Sequence, residues 1–266
     1  MSEPKIRITN LNKKFKTRWQ VIEAVKDANL EIREGEFVSL LGPSGCGKST
    51  IIRMIDDIIK PTSGQIYIDG EEITRYKRIP EAVNRKIGFI FQQSNLFPWL
   101  TVRENVRFPL TIYHIKDKES EEYVDELIEM VGMTKYKDAY PAQISGGAAQ
   151  RIGVIRALVH KPEILLMDEP FGALDAMTRE ALDMELLEIW KKMKKTIIFI
   201  THNVEEATLM SDRIYVMGTN PGRIVKDVTL DLPRPRSLDM LTTEKFQNYC
   251  TEMTGYIGHV DLSKIK

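Results

Sequence analysis

The chain should fold as an α/β protein, with a mainly parallel sheet, helical crossovers and a helical insert. Three observations predict this. Short apolar runs at Phe37–Leu41, Ile87–Phe91, Ile164–Met167 and Ile197–Ile200 read as buried strands. Helical patterns at Ser49–Ile59, Met177–Lys192 and Val204–Leu209 alternate with them, as crossovers of a parallel sheet do. From about 93 to 157 the strand signal gives way to helical spacing.

Taken in order, KIRITNL and AVKDANLEI alternate in polarity and read as strands, with the basic, aromatic KKFKTRWQ between them as a loop. Lys60-Pro61-Thr62-Ser63-Gly64 ends the first helix, and QIYIDGEEI reads as a strand and turn. In the insert, Asn105–Leu110, Lys118–Val131 and Gln150–Val159 are helical. Val124, Leu127, Ile128 and Val131 share one face of the second helix, opposite a solvated acidic surface. RIYVM reads as a further strand and GRIVKDVTL as two short ones. Pro233 and Pro235 mark a boundary, and a helix over Lys245–Met253 is expected in the tail. The organisation expected is a domain over 1–236, with a helical subdomain at approximately 93–157, and a partly helical tail over 237–266.

A chain of 266 residues has room for one large domain or two modest ones. Its 42% apolar and 29% charged residues suit a soluble domain with a core and exclude a mainly disordered chain. Thirty-eight basic residues balance 38 acidic ones, so no one-signed field points to nucleic acid as a partner. Two cysteines, Cys46 and Cys250, are too few for a disulfide scaffold, and no zinc-ligand spacing is present. The opening MSEPKIRITN lacks the pattern of a secretory signal, and no apolar run approaches the ~20 residues that cross a bilayer. A reducing cytosol is the expected compartment, with docking on a membrane protein left open.

Chemistry concentrates at the ends of three strands. Gly42-Pro43-Ser44-Gly45-Cys46-Gly47-Lys48-Ser49-Thr50 lies between a buried strand and a helix, the context of a phosphate-binding loop. Backbone N–H groups and the helix N-terminus attract an anion there; Lys48 should reach β- and γ-phosphates, and the Ser49 hydroxyl suits Mg²⁺. Cys46 reads as a small filler. Asp168 and Glu169 end the strand at 164–167, where open α/β sheets bind ligands. Asp168 suits the metal's oxygen shell, and Glu169 suits polarising a water for in-line attack on the γ-phosphate. Thr201-His202 ends the next strand on the same sheet edge, so His202 would touch the γ-phosphate or hold the water and Glu169. His114, His160 and His259 read as packing or surface residues.

With these residues in place, the chain resembles the ATP-binding subunit of an ABC transporter, over roughly residues 5 to 236. Gln92 and the following Gln93–Trp99 resemble the Q-loop, Ile144-Ser145-Gly146-Gly147-Ala148-Ala149-Gln150-Arg151 the signature, and Phe171-Gly172-Ala173-Leu174-Asp175 the D-loop. The resemblance implies a P-loop NTPase core of the ABC ATPase type, with a helical subdomain insert and a small antiparallel β region. It implies ATP and Mg²⁺ as cofactors, Gln92 in the metal shell, and Phe15 stacked on adenine with Trp19 as a competing candidate. It also implies a head-to-tail dimer of two copies, in which Ser145, Gly146 and Gly147 cover the partner's γ-phosphate and Asp175 lies at the seam. Ser145-Gly146-Gly147 before a helical run supplies the hydroxyl and amides of a second phosphate cradle. Ala148 and Ala149 stand where the family has longer side chains.

Pro98-Trp99, His202-Asn203-Val204-Glu205-Glu206-Ala207 and Leu232-Pro233-Arg234-Pro235-Arg236 resemble the nitrate/sulfonate/taurine branch of the importers. That branch implies a separate membrane permease docking near Gln92 to Trp99 and an extracytoplasmic solute-binding protein acting indirectly. It further implies a peripheral position on the cytoplasmic face of the membrane, and a small anion as cargo. The alternatives are an exporter ATPase and a soluble ABC ATPase outside transport.

Overall fold

The computed structural model describes residues 3–172 and 174–258; Ala173 and His259 lie outside the described residues. Two sheets form the frame. The antiparallel one comprises β1 (Ile6–Lys16), β2 (Val21–Ile32), β4 (Ser63–Ile68) and β5 (Glu71–Glu72), in the order β2-β1-β4-β5. The other comprises β3 (Phe37–Leu41), β6 (Ile87–Ile90), β7 (Ile164–Asp168), β8 (Thr196–Thr201), β9 (Arg213–Gly218) and β10 (Arg223–Thr229), in the order β10-β9-β3-β8-β7-β6. It is parallel except for β10, which pairs antiparallel with β9 at one edge.

The strands β3, β7 and β8 are buried at every position, as continuous apolar runs in a sheet covered on both faces must be. The period of two in a strand divides them between two cores. Val38, Leu40, Leu166, Ile198 and Ile200 pack with Ile6, Ile8 and Leu30 of the antiparallel sheet and with Ile51 and Ile52. Phe37, Leu165, Met167, Ile197 and Phe199 face the opposite way, toward the helices.

The helices are α1 (Lys48–Ile55), α2 (Glu81–Asn84), α3 (Val102–Ile112), α4 (Lys118–Met130), α5 (Gly146–Leu158), α6 (Ala176–Met193), α7 (Val204–Met210) and α8 (Glu244–Gly258). Thr101 and Glu104 close a reciprocal capping box at the start of α3, and Asp117 caps α4 by accepting from the Ser120 amide at 2.8 Å. Val124, Leu127 and Ile128 turn inward as their spacing predicts. The acidic face of α4 is less free than expected: Arg103 and Arg107 from α3 pair with Glu121 and Asp125, and Lys161 pairs with Glu119.

Several boundaries differ from the sequence expectation. Residues 13–16 are strand, because the Lys13–Lys16 backbone still pairs with Val21–Val25, and only a tight turn from Thr17 to Gln20 remains as loop. The first helix stops at Ile55. GRIVKDVTL makes one strand, with a register shift between Ile224 and Lys226 in place of a break. The helix α5 starts at Gly146, because Ser145 caps it through the Ala148 amide. The tail helix α8 buries Phe246 and Met253 completely, against α7 and β9.

Candidate active site

Sheet register assembles the site. Leu41 at the end of β3 is level with Thr201 of β8, and Asp168 of β7 is level with Ile200. The chain therefore leaves three adjacent parallel strands at one edge, carrying Gly42–Gly47, Glu169 and His202. This is the edge where ligands bind in such sheets.

The glycine-rich loop is wedged tightly. Gly47, the residue before α1, has φ 95°, and a Cβ there would stand 2.7 Å from the Ala24 carbonyl oxygen of β2. Only glycine meets both demands. From the other side Gly222 packs so closely that a Cβ would stand 2.1 Å from the Cys46 carbonyl oxygen. The Lys48 ammonium is buried and donates to the carbonyls of Gly42 at 2.6 Å and Pro43 at 3.0 Å. It lies 3.9 Å from Glu169 Oε1. An ammonium held this way, inside the loop and beside one carboxylate, is placed to exchange those partners for phosphate oxygens. Cys46 is buried in the loop, and burial pushes its thiol pKa up, which suits a filler and not a nucleophile.

Asp168 is buried, with its carboxylate shared between the Ser49 hydroxyl, which donates to Oδ1 at 2.6 Å, and Arg53 at 3.2 Å. A serine hydroxyl and a carboxylate brought together at a phosphate loop offer the hard oxygen donors that Mg²⁺ selects, so the residues present fit that ion. Glu169 follows in a left-handed conformation, φ 46°, fixed by its amide donating to the Ile200 carbonyl at 3.2 Å. A non-glycine residue there carries strain, which concentrates at functional positions. The turn aims the Glu169 carboxylate between Lys48 and His202; His202 Nδ1 lies 3.3 Å from Glu169 Oε2.

Other expected residues stand apart. Gln92 is exposed; its carbonyl accepts from Gln150, and its side chain makes no hydrogen bond to Ser49 or Asp168. Ser145 and Gly146 are exposed at the start of α5, with no hydrogen bond to residues 42–49 among those described. Gly147 packs toward Thr178, whose hydroxyl donates to Asp175, the cap of α6. Phe15 is exposed on β1 with Lys13 over its ring; Trp19 is far more exposed, in the turn. Ser44 lies within the loop, and Thr50 lies in the first turn of α1. His160 Nε2 donates to the Ile87 carbonyl at 3.0 Å, a packing role.

The structure adds residues to which the sequence reading gave no role. Gln150 is buried in α5, and its amide reaches the carbonyls of Phe91, Gln92 and Pro170, tying the loop after β6 to the Glu169–Pro170 turn. Arg156 clamps the carbonyls of Ser94 and Asn95. Arg179 holds those of Phe171 and Leu174. Beneath His202, the Thr201 hydroxyl donates to buried Glu206, which neighbours buried Asp183. The signature resemblance includes Gln150, but position in that motif does not name its carbonyl partners.

Comparison with known proteins places the chain in a family. The family model described as "ABC transporter" matches residues 25–172. The chain belongs to the ABC transporter family, as an ATP-binding subunit. An uncharacterized ABC transporter ATP-binding protein of Methanocaldococcus jannaschii is 45% identical, over 98% of this chain and 94% of its own. An aliphatic sulfonates import ATP-binding protein of Bacillus cereus is 43% identical, over 91% of each. A nitrate import ATP-binding protein of Synechocystis is 41% identical, over 86% of this chain and 83% of its own. A solved dimeric ATP-binding cassette, in a post-hydrolysis state bound to ADP and phosphate, superposes with a TM-score of 0.76 at 35% identity. It covers 86% of this chain and all of its own. This ATP-binding subunit is accordingly an ATP-hydrolysing enzyme of the ABC fold.

Proposed function

We propose that this subunit pairs with a second copy of itself and hydrolyses ATP to drive import of a small anion, such as a sulfonate, taurine or nitrate, through a separate membrane permease. The observation that carries the catalytic part is the position of Glu169, between Lys48 and His202 and beside the Ser49–Asp168 pair. The loop residues Gly42, Ser44, Gly45, Cys46, Gly47, Lys48, Ser49 and Thr50 take the phosphates, and Phe15 stacks on adenine. Ser49, Asp168 and Gln92 would hold Mg²⁺, which would supply positive charge to offset that of the phosphates. Glu169 accepts a proton from water as the water oxygen bonds to the γ-phosphorus and the bond to ADP breaks, releasing ADP and phosphate. His202 keeps Glu169 and the water in line.

The reading needs two copies because Ser145 and Gly146 are exposed and make no hydrogen bond to residues 42–49 among those described. In the dimer Ser145, Gly146 and Gly147 cover the partner's γ-phosphate, and Asp175 lies at the seam. The permease docks near Gln92 to Trp99, and an extracytoplasmic solute-binding protein feeds it. No helix among the described residues is long and apolar enough to cross a membrane, so a peripheral place on the cytoplasmic face fits. We assign the ATPase domain to 1–236, its helical subdomain to approximately 93–157, and the tail to 237–266.

The import direction and cargo class rest on the relatives whose names carry sulfonate and nitrate import. The test is purification of the intact complex from native membranes, identification of its permease by mass, and assay of ATP turnover with candidate anions and the binding protein. A permease of importer type, and turnover raised by a sulfonate or nitrate, are expected. A complex with no membrane protein, or one stimulated only from the cytosolic side, would overturn import.

A further inference from the structure

His202 is seated by a buried polar chain that takes no part in the proton transfer itself. Its neighbour Thr201, the last residue of β8, is 2% exposed. The Thr201 hydroxyl donates to the Glu206 carboxylate of α7 and accepts from the Asn203 amide at 2.9 Å, so it bridges the two sides of His202. The Asn203 side chain caps α7, accepting from the amides of Glu205 at 2.9 Å and Glu206 at 3.2 Å. A hydroxyl has one proton to give. By taking it, Glu206 turns the Thr201 lone pairs toward the Asn203 amide, and carboxylate and helix cap together set the backbone around His202. That turn leaves His202 Nδ1 3.3 Å from Glu169 Oε2.

A buried acid is costly where a neutral group could accept the same hydrogen bond. Glu206 is 8% exposed, and Asp183 of α6 beside it is 3% exposed. Asp183 Oδ1 finds no partner among the described residues, and the side chain hydrogen-bonds Glu206, so one proton between the two acids supplies what both lack. Burial raises both pKa values, that of Asp183 to about 9. The charged groups that face the pair are Arg179 and Glu180 of α6 and, from the strand ends, His202 and Glu169. Arg179 also holds the carbonyls of Phe171 and Leu174. Where β3 and α8 pack on α7 they bring Leu41, Phe246 and Cys250, and burial keeps that thiol neutral.

We propose that Glu206 is a positioning residue for ATP hydrolysis: through the Thr201 hydroxyl it fixes the turn that holds His202 against Glu169, and Asp183 steadies it by sharing one proton with it. This rests on the roles given above to Glu169 and His202 and adds the residues that seat the histidine. Once the shared proton is lost, two adjacent carboxylates repel, Glu206 leaves Thr201, and the His202 turn loosens.

The experiment measures ATP turnover, ATP affinity by equilibrium titration and melting temperature on full-length wild type, Thr201→Val, Thr201→Ser, Glu206→Leu, Glu206→Gln and the double variant Thr201→Val/Glu206→Leu. Thr201→Val and Glu206→Leu should each lower kcat about tenfold with ATP affinity near wild type, and the double variant should fall no further than either. Thr201→Ser and Glu206→Gln, which keep the hydrogen bond, should restore kcat. Wild-type kcat should decline as pH rises through about 9, where the pair loses its proton, and Glu206→Gln, with no proton to lose, should lack that decline. If Glu206→Leu does not fold, the Thr201→Val and Thr201→Ser pair and the pH profile of Glu206→Gln carry the test. Wild-type kcat in Thr201→Val, losses that multiply in the double variant, or an alkaline decline unchanged in Glu206→Gln would overturn the assignment. Turnover lost in Glu169→Gln but kept in Thr201→Val sinks this inference alone; turnover kept in Glu169→Gln sinks the catalytic reading and this inference with it.

Discussion

Substituting Asp183 by asparagine should make the protein more stable, and by more at pH 8 than at pH 5. Asp183 sits on α6 and is 3% exposed. Its neighbour is Glu206 of α7, which is also buried and accepts from the Thr201 hydroxyl. Desolvation first, and then the Glu206 charge, push the Asp183 carboxyl from 3.8 up to about 9; burial raises Glu206 as well. The two therefore share a proton in the folded state at neutral pH. Below about pH 4 the folded and unfolded chains both hold that proton. Between about pH 4 and 9 the unfolded chain has lost it and the folded chain has not, so folding stability declines as pH rises through this window. One proton over the three units from pH 5 to pH 8 amounts to about 4 kcal/mol at ~1.4 kcal/mol per unit. Glu206 retains part of this in the variant, which leaves roughly 2 kcal/mol as the expected gain in the difference. For a chain of this size that is a shift of about 4 °C or more in melting temperature. Thermal or urea denaturation of wild type and Asp183→Asn at pH 5, 6.5 and 8 measures it. Equal differences at all three pH values would refute the shared proton.

The remaining predictions concern the phosphate edge and its supports. Lys48→Ala removes a buried cation worth about 1.5–3 kcal/mol per charged hydrogen bond, so ATP should bind roughly ten- to a hundredfold more weakly in equilibrium titration, and turnover should vanish. Gly222→Ala places a methyl against the Cys46 carbonyl; nucleotide affinity should fall at least tenfold, measured against the loss in melting temperature, which a general packing defect would lower first. Gln150→Ala unties the loop after β6 from the Pro170 turn, and should reduce permease-stimulated ATP turnover more than the basal rate of the isolated subunit. Ser145→Arg should leave nucleotide binding by the monomer near wild type and prevent ATP-driven pairing, read by light scattering.

The sequence made the catalytic edge legible because each of its parts ends a strand. Apolar runs at 37–41, 164–167 and 197–200 specify buried parallel strands, and parallel strands in register must deliver their following residues to one edge. Gly47 and Lys48, Asp168 and Glu169, and His202 were therefore locatable from order alone. Residues that act across the fold were not. Gly222 follows a turn some 175 positions along the chain from the loop it supports, and nothing near it in sequence announces that contact. Gln150 was visible as a letter of the signature, yet its three carbonyl partners lie on two other segments. Asp183 is one of several acids in the helical run 177–192, and only burial beside Glu206 changes its chemistry. The strand at 13–16 was missed for a local reason: Lys13, Lys14 and Lys16 are polar, but an edge hairpin is held by backbone pairing and does not need an apolar face there.

The central claim is that Glu169 takes the proton from the attacking water at a site completed by a second copy of the chain. Size-exclusion chromatography with light scattering of Glu169→Gln, with ATP and Mg²⁺ and with ADP, together with phosphate release from the same sample, tests it most directly. The account predicts a stable dimer with ATP, a monomer with ADP, and phosphate release reduced at least a hundredfold. A Glu169→Gln protein that releases phosphate at the wild-type rate, or stays monomeric with ATP bound, would contradict it.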